Sequence, residues 1–444
     1  MKRKLIAVMI VMMCCGSLAG CGKTATSDTN LSAETTKQEE AKQEETKPAE
    51  VAQEVITQGE ENAAETAQAE GAVIVASADA DEKSGTEEAQ HRLLTTDEYQ
   101  DIADRLRMTD PVNPAEAELL SQMADLVTFS KVINEEGVVF SRMENDKRAV
   151  IRRHILDAVA WDESAFAQAI RMERGEGRYD ADVIFPVEDA EALFRDIYGE
   201  TRFTPAQYER VEDGYVCLSF GDGEPWHIVE HMQFFQDDDY YLLTGPAFYE
   251  DNGGCISLLG CADILFARNP DSRYGVTLIY GRYRDARIAV SSVETSSALP
   301  ASGSKSYTGM NLIDDDYATV WAEGVPGTGV GETITLHLDS AQPVYGILIC
   351  NGYTANYDLY SKNGMLTDVE VDFGNGRHAE GHNLEGYGFE NASSQDLADM
   401  NRSRIELEAP VVTDTITITI TGAKKGTKYE DTCVSEIWVY GPGK

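Results

Sequence analysis

Three groups of residues in this chain have the types and the spacing to do chemistry. The first is His227-Ile228-Val229-Glu230-His231, two imidazoles and a carboxylate in the order H-x-x-E-H. On a helix that spacing puts both histidines on one face, where they hold zinc with the glutamate beside them as general base. Here the motif follows the turn Gly221-Asp222-Gly223 and runs into aromatic residues with strand character, and no obvious downstream helix offers a third ligand. On a strand, His227 and His231 share a face and Glu230 points the other way. The motif therefore reads as sheet histidines, and a hydrolase built on His227, Glu230 and His231 is the alternative. His378 and His382 repeat the spacing around a glycine, in what reads as a loop. No G-x-S-x-G, P-loop or dinucleotide fingerprint is present.

The second group is an acidic turn in residues 311–338. Asp314, Asp315 and Asp316 follow Leu312 and Ile313; Thr319 and Trp321 come next, then a glycine-rich loop from Gly324 to Gly331. Packed carboxylates and a hydroxyl in a tight turn are hard oxygen donors of the kind Ca²⁺ takes. An alternating strand follows, with Ile334, Leu336 and Leu338 on one face and Thr333, Thr335 and His337 on the other. The third group lies in Cys350–Phe373 and Gly426–Gly441, which are rich in tyrosine, asparagine and lysine.

The pieces N-L-I-D-x-D-x-x-T-x-W, W-x-E-G-V-P-G-x-G-x-G-E, N-G-Y, D-L-Y-x-K-N and G-T-K-Y-x-D-T-x-x-S-E-I occur in this order between about residues 286 and 442. Together they resemble the discoidin-like, galactose-binding-like fold of carbohydrate-binding modules, and most closely the NADase-type glycan-binding domain. The resemblance implies a jelly-roll sandwich whose termini, at Ile288–Val293 and Glu436–Tyr440, lie side by side. It implies a structural Ca²⁺ held by Asp314, Asp316, Thr319 and Glu436. Asp315 stands where relatives often have glycine, so the shape of the turn rests on the conformation that residue takes. For the sugar it implies aromatic platforms and planar hydrogen-bonding groups. The candidates are Trp321, Glu323, Asn351, Tyr353, Tyr357, Tyr360, Lys362 and Asn363, with Tyr429 as a further exposed one. The matching part of that family binds and does not catalyse, so no NAD-glycohydrolase activity is implied.

The elements that position these groups follow from the rest of the chain. Lys2-Arg3-Lys4, an apolar run and Leu18-Ala19-Gly20-Cys21 resemble a lipoprotein signal peptide with its lipobox. That implies cleavage before Cys21, a diacylglyceryl group on its sulfur and a place on a bacterial cell surface, outside the cytoplasmic membrane. Residues 22–90 hold 17 acidic and 5 basic residues and no Phe, Tyr or Trp. Such a segment cannot bury enough apolar surface to offset its ordering entropy and reads as a disordered acidic tether.

Residues 91–285 read as an α+β domain of unknown function, helices first and then an antiparallel sheet. Thr95 and Glu98 form a capping box. A helix follows Asn113-Pro114, another covers Lys147–Trp161, and Pro186–Tyr198 is stopped by Gly199. Tyr215–Phe220, His227–Phe235, Tyr240–Phe248, Ile256–Arg268 and Gly275–Tyr283 read as successive strands, with Phe234, Phe235, Tyr240, Tyr241, Phe248 and Tyr249 as core. Residues 286–444 form the all-β discoidin-like module. The chain carries a net charge of −40, which argues against nucleic acid or anionic lipid and is compatible with neutral glycans and Ca²⁺; a glycan partner, environmental or cell-surface, is what the resemblance implies. The membrane contact is the lipid alone. Cys350 and Cys433 both lie in the module and are close enough in type to pair, or to remain buried thiols. The leading expectation is a non-catalytic glycan-binding surface lipoprotein; the alternatives are an extracellular hydrolase acting through residues 91–285 and a structural or protein-interaction lipoprotein.

Overall fold

The computed structural model describes residues 94–443, except residues 130–131, 161–164, 176–177, 221–225 and 252–253. The expected signal peptide with Cys21 and the expected acidic tether lie outside the described residues. Thr95 caps the first helix, Thr96–Arg107: its hydroxyl accepts from the Glu98 amide at 3.2 Å while the Glu98 carboxylate accepts from the Thr95 amide at 2.8 Å. Tyr99, Ala103 and Leu106 form its buried face. Helices Ala117–Phe129, Asn145–Ala160 and Val187–Tyr198 follow, the last closed by Gly199 at φ 77°.

Two antiparallel sheets complete this half. The larger runs in the order Val138–Val139, Val276–Arg284, Ile256–Arg268, Tyr240–Glu250, with Trp226–Val229 and Gln233–Gln236 both pairing to the last of these. The expected single strand His227–Phe235 is therefore broken. Residues 230–232 bulge out between two pairings to one partner, and His231 takes φ 47°. Gly245 accommodates the bulge, since a Cβ there would lie 2.3 Å from the Glu230 carbonyl oxygen. Tyr215–Leu218 does not join the meander either. It pairs with Val183–Pro186 in a separate four-stranded sheet with Glu173–Arg174 and Arg210–Glu212. Tyr215–Leu218 is thus a strand, as expected, but in another sheet, and its partners Glu173–Arg174, Val183–Pro186 and Arg210–Glu212 are too short to show a period and were not legible as strands. The aromatic run packs inside: Phe234, Phe235, Tyr241 and Phe248 are buried, and Tyr240 and Tyr249 half-buried.

The second half is an eight-stranded antiparallel sandwich. Its long strands Thr333–Asn351 and Arg402–Lys424 pair along their length and break register between His337 and Gln342 and between Val344 and Gly346, which lets one chain turn from layer to layer. Ile334, Leu336 and Leu338 point into the core with Trp321, Val371, Phe373, Ile416 and Ile418, as the alternation requires. Arg287 pairs with Tyr440 and Ile288 with Val439, so the two ends of the module lie side by side.

Glu88–Lys444 forms one compact unit, and its two halves meet on an outer face of the sandwich. Cross-strand neighbours of Thr333–Asn351 place Glu406 and Tyr440 beside Gly346, and Arg404 and Trp438 beside Leu348. Phe248 enters this face against Tyr440, with ring centroids 5.2 Å apart and edge-on. The His231 ring stacks on Tyr345 at 4.6 Å and 4°. Arg404 lies over Phe248 and reaches Glu230 at 3.5 Å. The Arg402 guanidinium donates to the Ile256 carbonyl at 3.0 Å, and Arg284 donates to the Pro442 carbonyl at 2.9 Å.

Candidate functional site

Asp314 to Thr319 form a tight, self-bonded turn. The Thr319 hydroxyl donates to the Asp314 carboxylate at 2.8 Å, the Asp316 amide donates to the same carboxylate at 3.1 Å, and the Asp316 carboxylate accepts from the Ala318 amide at 2.9 Å. Asp315 holds φ 57° at the apex. This is the left-handed region that glycine enters most readily, and the Asp315 carboxylate pairs with Arg287 at 2.7 Å. A short polar side chain tolerates this region better than a branched one.

Glu436 comes to this turn from the last strand, opposite Cys350. It is 2% exposed, and neither carboxylate oxygen has a hydrogen-bond partner. Burial, then the negative charges of Asp315 and Asp314, push its acid up to about 9. The Asp315 amide lies near enough to favour the charged form but makes no well-formed hydrogen bond. An unpaired buried carboxylate is costly, and a cation is the partner its surroundings lack. Asp314 and Glu436 are thus brought together. Thr319 is bonded to Asp314, and Asp316 spends its carboxylate on its own turn. Among the described residues no three His, Cys, Asp or Glu side chains gather as a metal group, so an ion here would need hydroxyl and backbone oxygens beside Glu436 and Asp314. The donor set fits a hard cation.

At the loop end of the module, four segments are laced together by hydrogen bonds. The Gly324 amide donates to the Ser297 hydroxyl at 2.9 Å, the Thr432 hydroxyl to the Thr328 carbonyl at 2.9 Å, and the Tyr429 amide to the Lys362 carbonyl at 2.8 Å. On them sits a group of tyrosines and a lysine. The Lys305 ammonium donates to the Tyr353 hydroxyl at 3.0 Å and lies 5.2 Å from the centre of its ring. Tyr307 is close enough for Tyr353, Lys305 and Tyr429 all to act on its phenol. Tyr429 is 39% exposed, with the Lys428 ammonium 4.7 Å from its ring centre. Lys305 and Tyr307 were missed in the sequence, because Ser302–Tyr307 reads as an ordinary polar turn and only Tyr353, brought from 46 residues downstream in the chain, gives it meaning.

The other expected sugar contacts divide. Trp321, Glu323 and Asn351 are fully buried. The Trp321 indole donates to the Ser297 carbonyl at 3.1 Å. Glu323 accepts from the Val325 amide at 2.7 Å and, more weakly, from Thr432 at 3.4 Å, tying the glycine-rich loop down. Asn351 donates to the Leu366 and Leu384 carbonyls and accepts from the Leu366 amide, each at 2.9 Å. Tyr360 is buried and donates to Asn401 at 2.7 Å. All four are buried and spend polar groups on neighbouring loops and strands. Tyr353 is 5% exposed, and its hydroxyl accepts from the exposed Lys305. Tyr357 is half-buried, 6.5 Å from Tyr360. Lys362 pairs with Asp358 at 2.6 Å, and the Asn363 side chain donates to the Leu359 carbonyl at 2.8 Å.

The H-x-x-E-H motif is not helical. Trp226–Val229 is a strand, His231 lies on the bulge, and its Nε2 is within 3.4 Å of the Glu406 carboxylate without hydrogen-bond geometry. The helix face that zinc chemistry needs is replaced by an inter-domain contact. His378 and His382 lie on an edge strand rather than in a loop, and His382 is flanked by Asp368 at 2.9 Å and Glu380 at 3.1 Å. Cys217, Cys255, Cys261, Cys350 and Cys433 are all free thiols, so Cys350 and Cys433 do not pair.

The fold is an α+β domain followed by a discoidin-like sandwich. Residues 282–440 match the family model for the NAD glycohydrolase translocation F5/8 type C domain. No curated protein matches the chain. Among solved structures, the chain is similar to the family 32 carbohydrate-binding module of AlyQ in complex with 4,5-unsaturated mannuronic acid, at 17% identity and TM-score 0.23 over 35% of this chain and 97% of that one. It is also similar to the family 32 module of C. perfringens NanJ in complex with galactose, at 20% identity and TM-score 0.23 over 34% and 92%.

Proposed function

We propose that this chain is a lipid-anchored bacterial surface protein whose C-terminal module binds carbohydrate at its loop end, without catalysis in that module. The observation that carries the reading is the Lys305, Tyr307, Tyr353 and Tyr429 group. It brings apolar ring surface, phenol hydroxyls and one ammonium donor together from three segments of the chain, of which the one carrying Tyr429 is hydrogen-bonded to the Lys362 carbonyl, and a sugar's C–H face and hydroxyls call for such groups. The excess of acidic over basic residues, 77 against 37, disfavours polyanions and suits neutral sugars. Calcium, when bound, supplies structural charge neutralisation. Glu436, Asp314 and the turn's hydroxyl and backbone oxygens are the residues that would hold it.

The test is a glycan array probed with the soluble chain from residue 22 onward. Lys305→Ala and Tyr429→Ala each reduce the signal about tenfold, equivalent to about 1.4 kcal/mol, with unchanged melting temperature. An array with no binding, or variants that bind like the wild type, rejects the proposal.

A further inference from the structure

We propose that the loop Glu385–Asn391 is a second carbohydrate-binding surface, one that takes uncharged pyranose rings on Tyr387 and Phe389. It uses none of the loop-end side chains and stands independently of them.

The sequence here alternates Gly386-Tyr387-Gly388-Phe389. Both glycines face the body of the module. A Cβ on Gly386 would lie 2.2 Å from the Asn401 side-chain oxygen, and one on Gly388 would lie 2.8 Å from Leu397 and 3.1 Å from Tyr360. The two aromatic residues between and after them are 49% and 52% exposed, and the Tyr387 hydroxyl lies 3.9 Å from the Cys255 sulfur of the α+β domain, which fixes that end of its ring and leaves a ring face open. The backbone is clamped: the Asn401 side-chain amide donates to the Tyr387 carbonyl at 2.9 Å and to the Leu397 carbonyl at 2.7 Å, while its oxygen accepts from the Tyr360 hydroxyl at 2.7 Å. The Ala392 amide closes the loop on the Phe389 carbonyl at 3.2 Å. A buried asparagine and two positions with no room for a side chain thus hold two half-exposed rings in place, one of them anchored at its hydroxyl by Cys255. A rigid display of this kind carries little ordering cost on binding.

Size and charge select the occupant. Half of each ring gives about 100 Å², so the pair offers about 200 Å², well short of the roughly 800 Å² per partner that a stable protein interface buries. It matches one or two sugar rings. Glu390 is exposed beside the rings, and Lys424 is already paired with Glu385 at 3.5 Å. A uronate or sulfated sugar would meet carboxylates there, and an uncharged one would not.

The test is affinity electrophoresis of the chain from residue 22 onward in native gels containing a β-galactan, a xyloglucan, a mannan or, as the anionic control, alginate. At least one neutral polymer retards the wild type. The double variant Tyr387→Ser/Phe389→Ser weakens that retardation at least fivefold and keeps the wild-type melting temperature. Gly388→Ala, with both rings intact, causes the same loss by lifting the loop. Lys305→Ala/Tyr429→Ala, which probes the loop end, leaves the part lost in the ring variant. The proposal is overturned if no neutral polymer retards the wild type, if the ring variant migrates like the wild type, if alginate binds better than every neutral polymer, or if the ring variant instead changes the sedimentation coefficient, which would make a second copy of the chain the occupant.

Discussion

Glu436 is held away from water, with Asp314 and Asp315 beside it and no hydrogen bond to either oxygen. Its folded-state acid constant, about 9, lies above the ordinary carboxylate value, so the folded state binds a proton that the unfolded state has released. Stability is then fully present below about pH 4.5 and falls as pH rises towards 9, by roughly 3 kcal/mol at pH 7. In EDTA, the melting temperature should therefore drop between pH 5 and pH 8. Glu436→Gln should flatten this slope. Calcium at a hundredfold excess over its Kd should offset the loss by about 2.7 kcal/mol. A wild-type melting temperature that is indifferent to pH in this range and to Ca²⁺ would reduce the acidic turn to a solvated one.

Between elements, Arg402 joins three parts of the molecule. One guanidinium nitrogen donates to the Ile256 carbonyl in the partner domain at 3.0 Å and to Asp399 at 2.8 Å, the other donates to the Tyr317 hydroxyl within the acidic turn at 3.0 Å, and the group lies 4.5 Å from the Trp438 ring centre. Arg287 covers the same indole at 5.0 Å while pairing with Asp315. The turn that would hold a cation and the face that receives the α+β domain therefore share side chains. In scanning calorimetry residues 94–443 should melt in one transition. Arg402→Ala should cost roughly 2–3 kcal/mol, from the lost charged hydrogen bonds and cation–π contact, and split the transition in two. A single transition at the wild-type temperature would show that the shared groups carry no coupling.

For the whole molecule, the prediction concerns location. If Cys21 carries the lipid, cells fed a labelled fatty acid should label the wild-type chain in the membrane fraction, and Cys21→Ala should accumulate as unlabelled precursor. Equal labelling of the variant would remove the anchor from the proposal. The strand alternation of Ile334, Leu336 and Leu338, the capping box at Thr95, the stop at Gly199 and the ordered motifs of the last third were legible because each is local: period, cap and spacing act within a few residues of each other. They were enough to place an α+β domain before a discoidin-like sandwich, and it was the resemblance they carried that named Asp314, Asp316, Thr319 and Glu436 as ligands of one ion. The roles of Trp321, Glu323, Asn351 and Tyr360 were not legible, since a polar or aromatic side chain looks the same in sequence whether it faces a ligand or a backbone carbonyl. Nor was the bulge at His231, which arises because two short strands share one neighbour. Burial is a property of the closed sandwich, and only its closure decided that those four side chains brace the loops while Lys305, Tyr307 and Tyr429 are left to meet what lies outside.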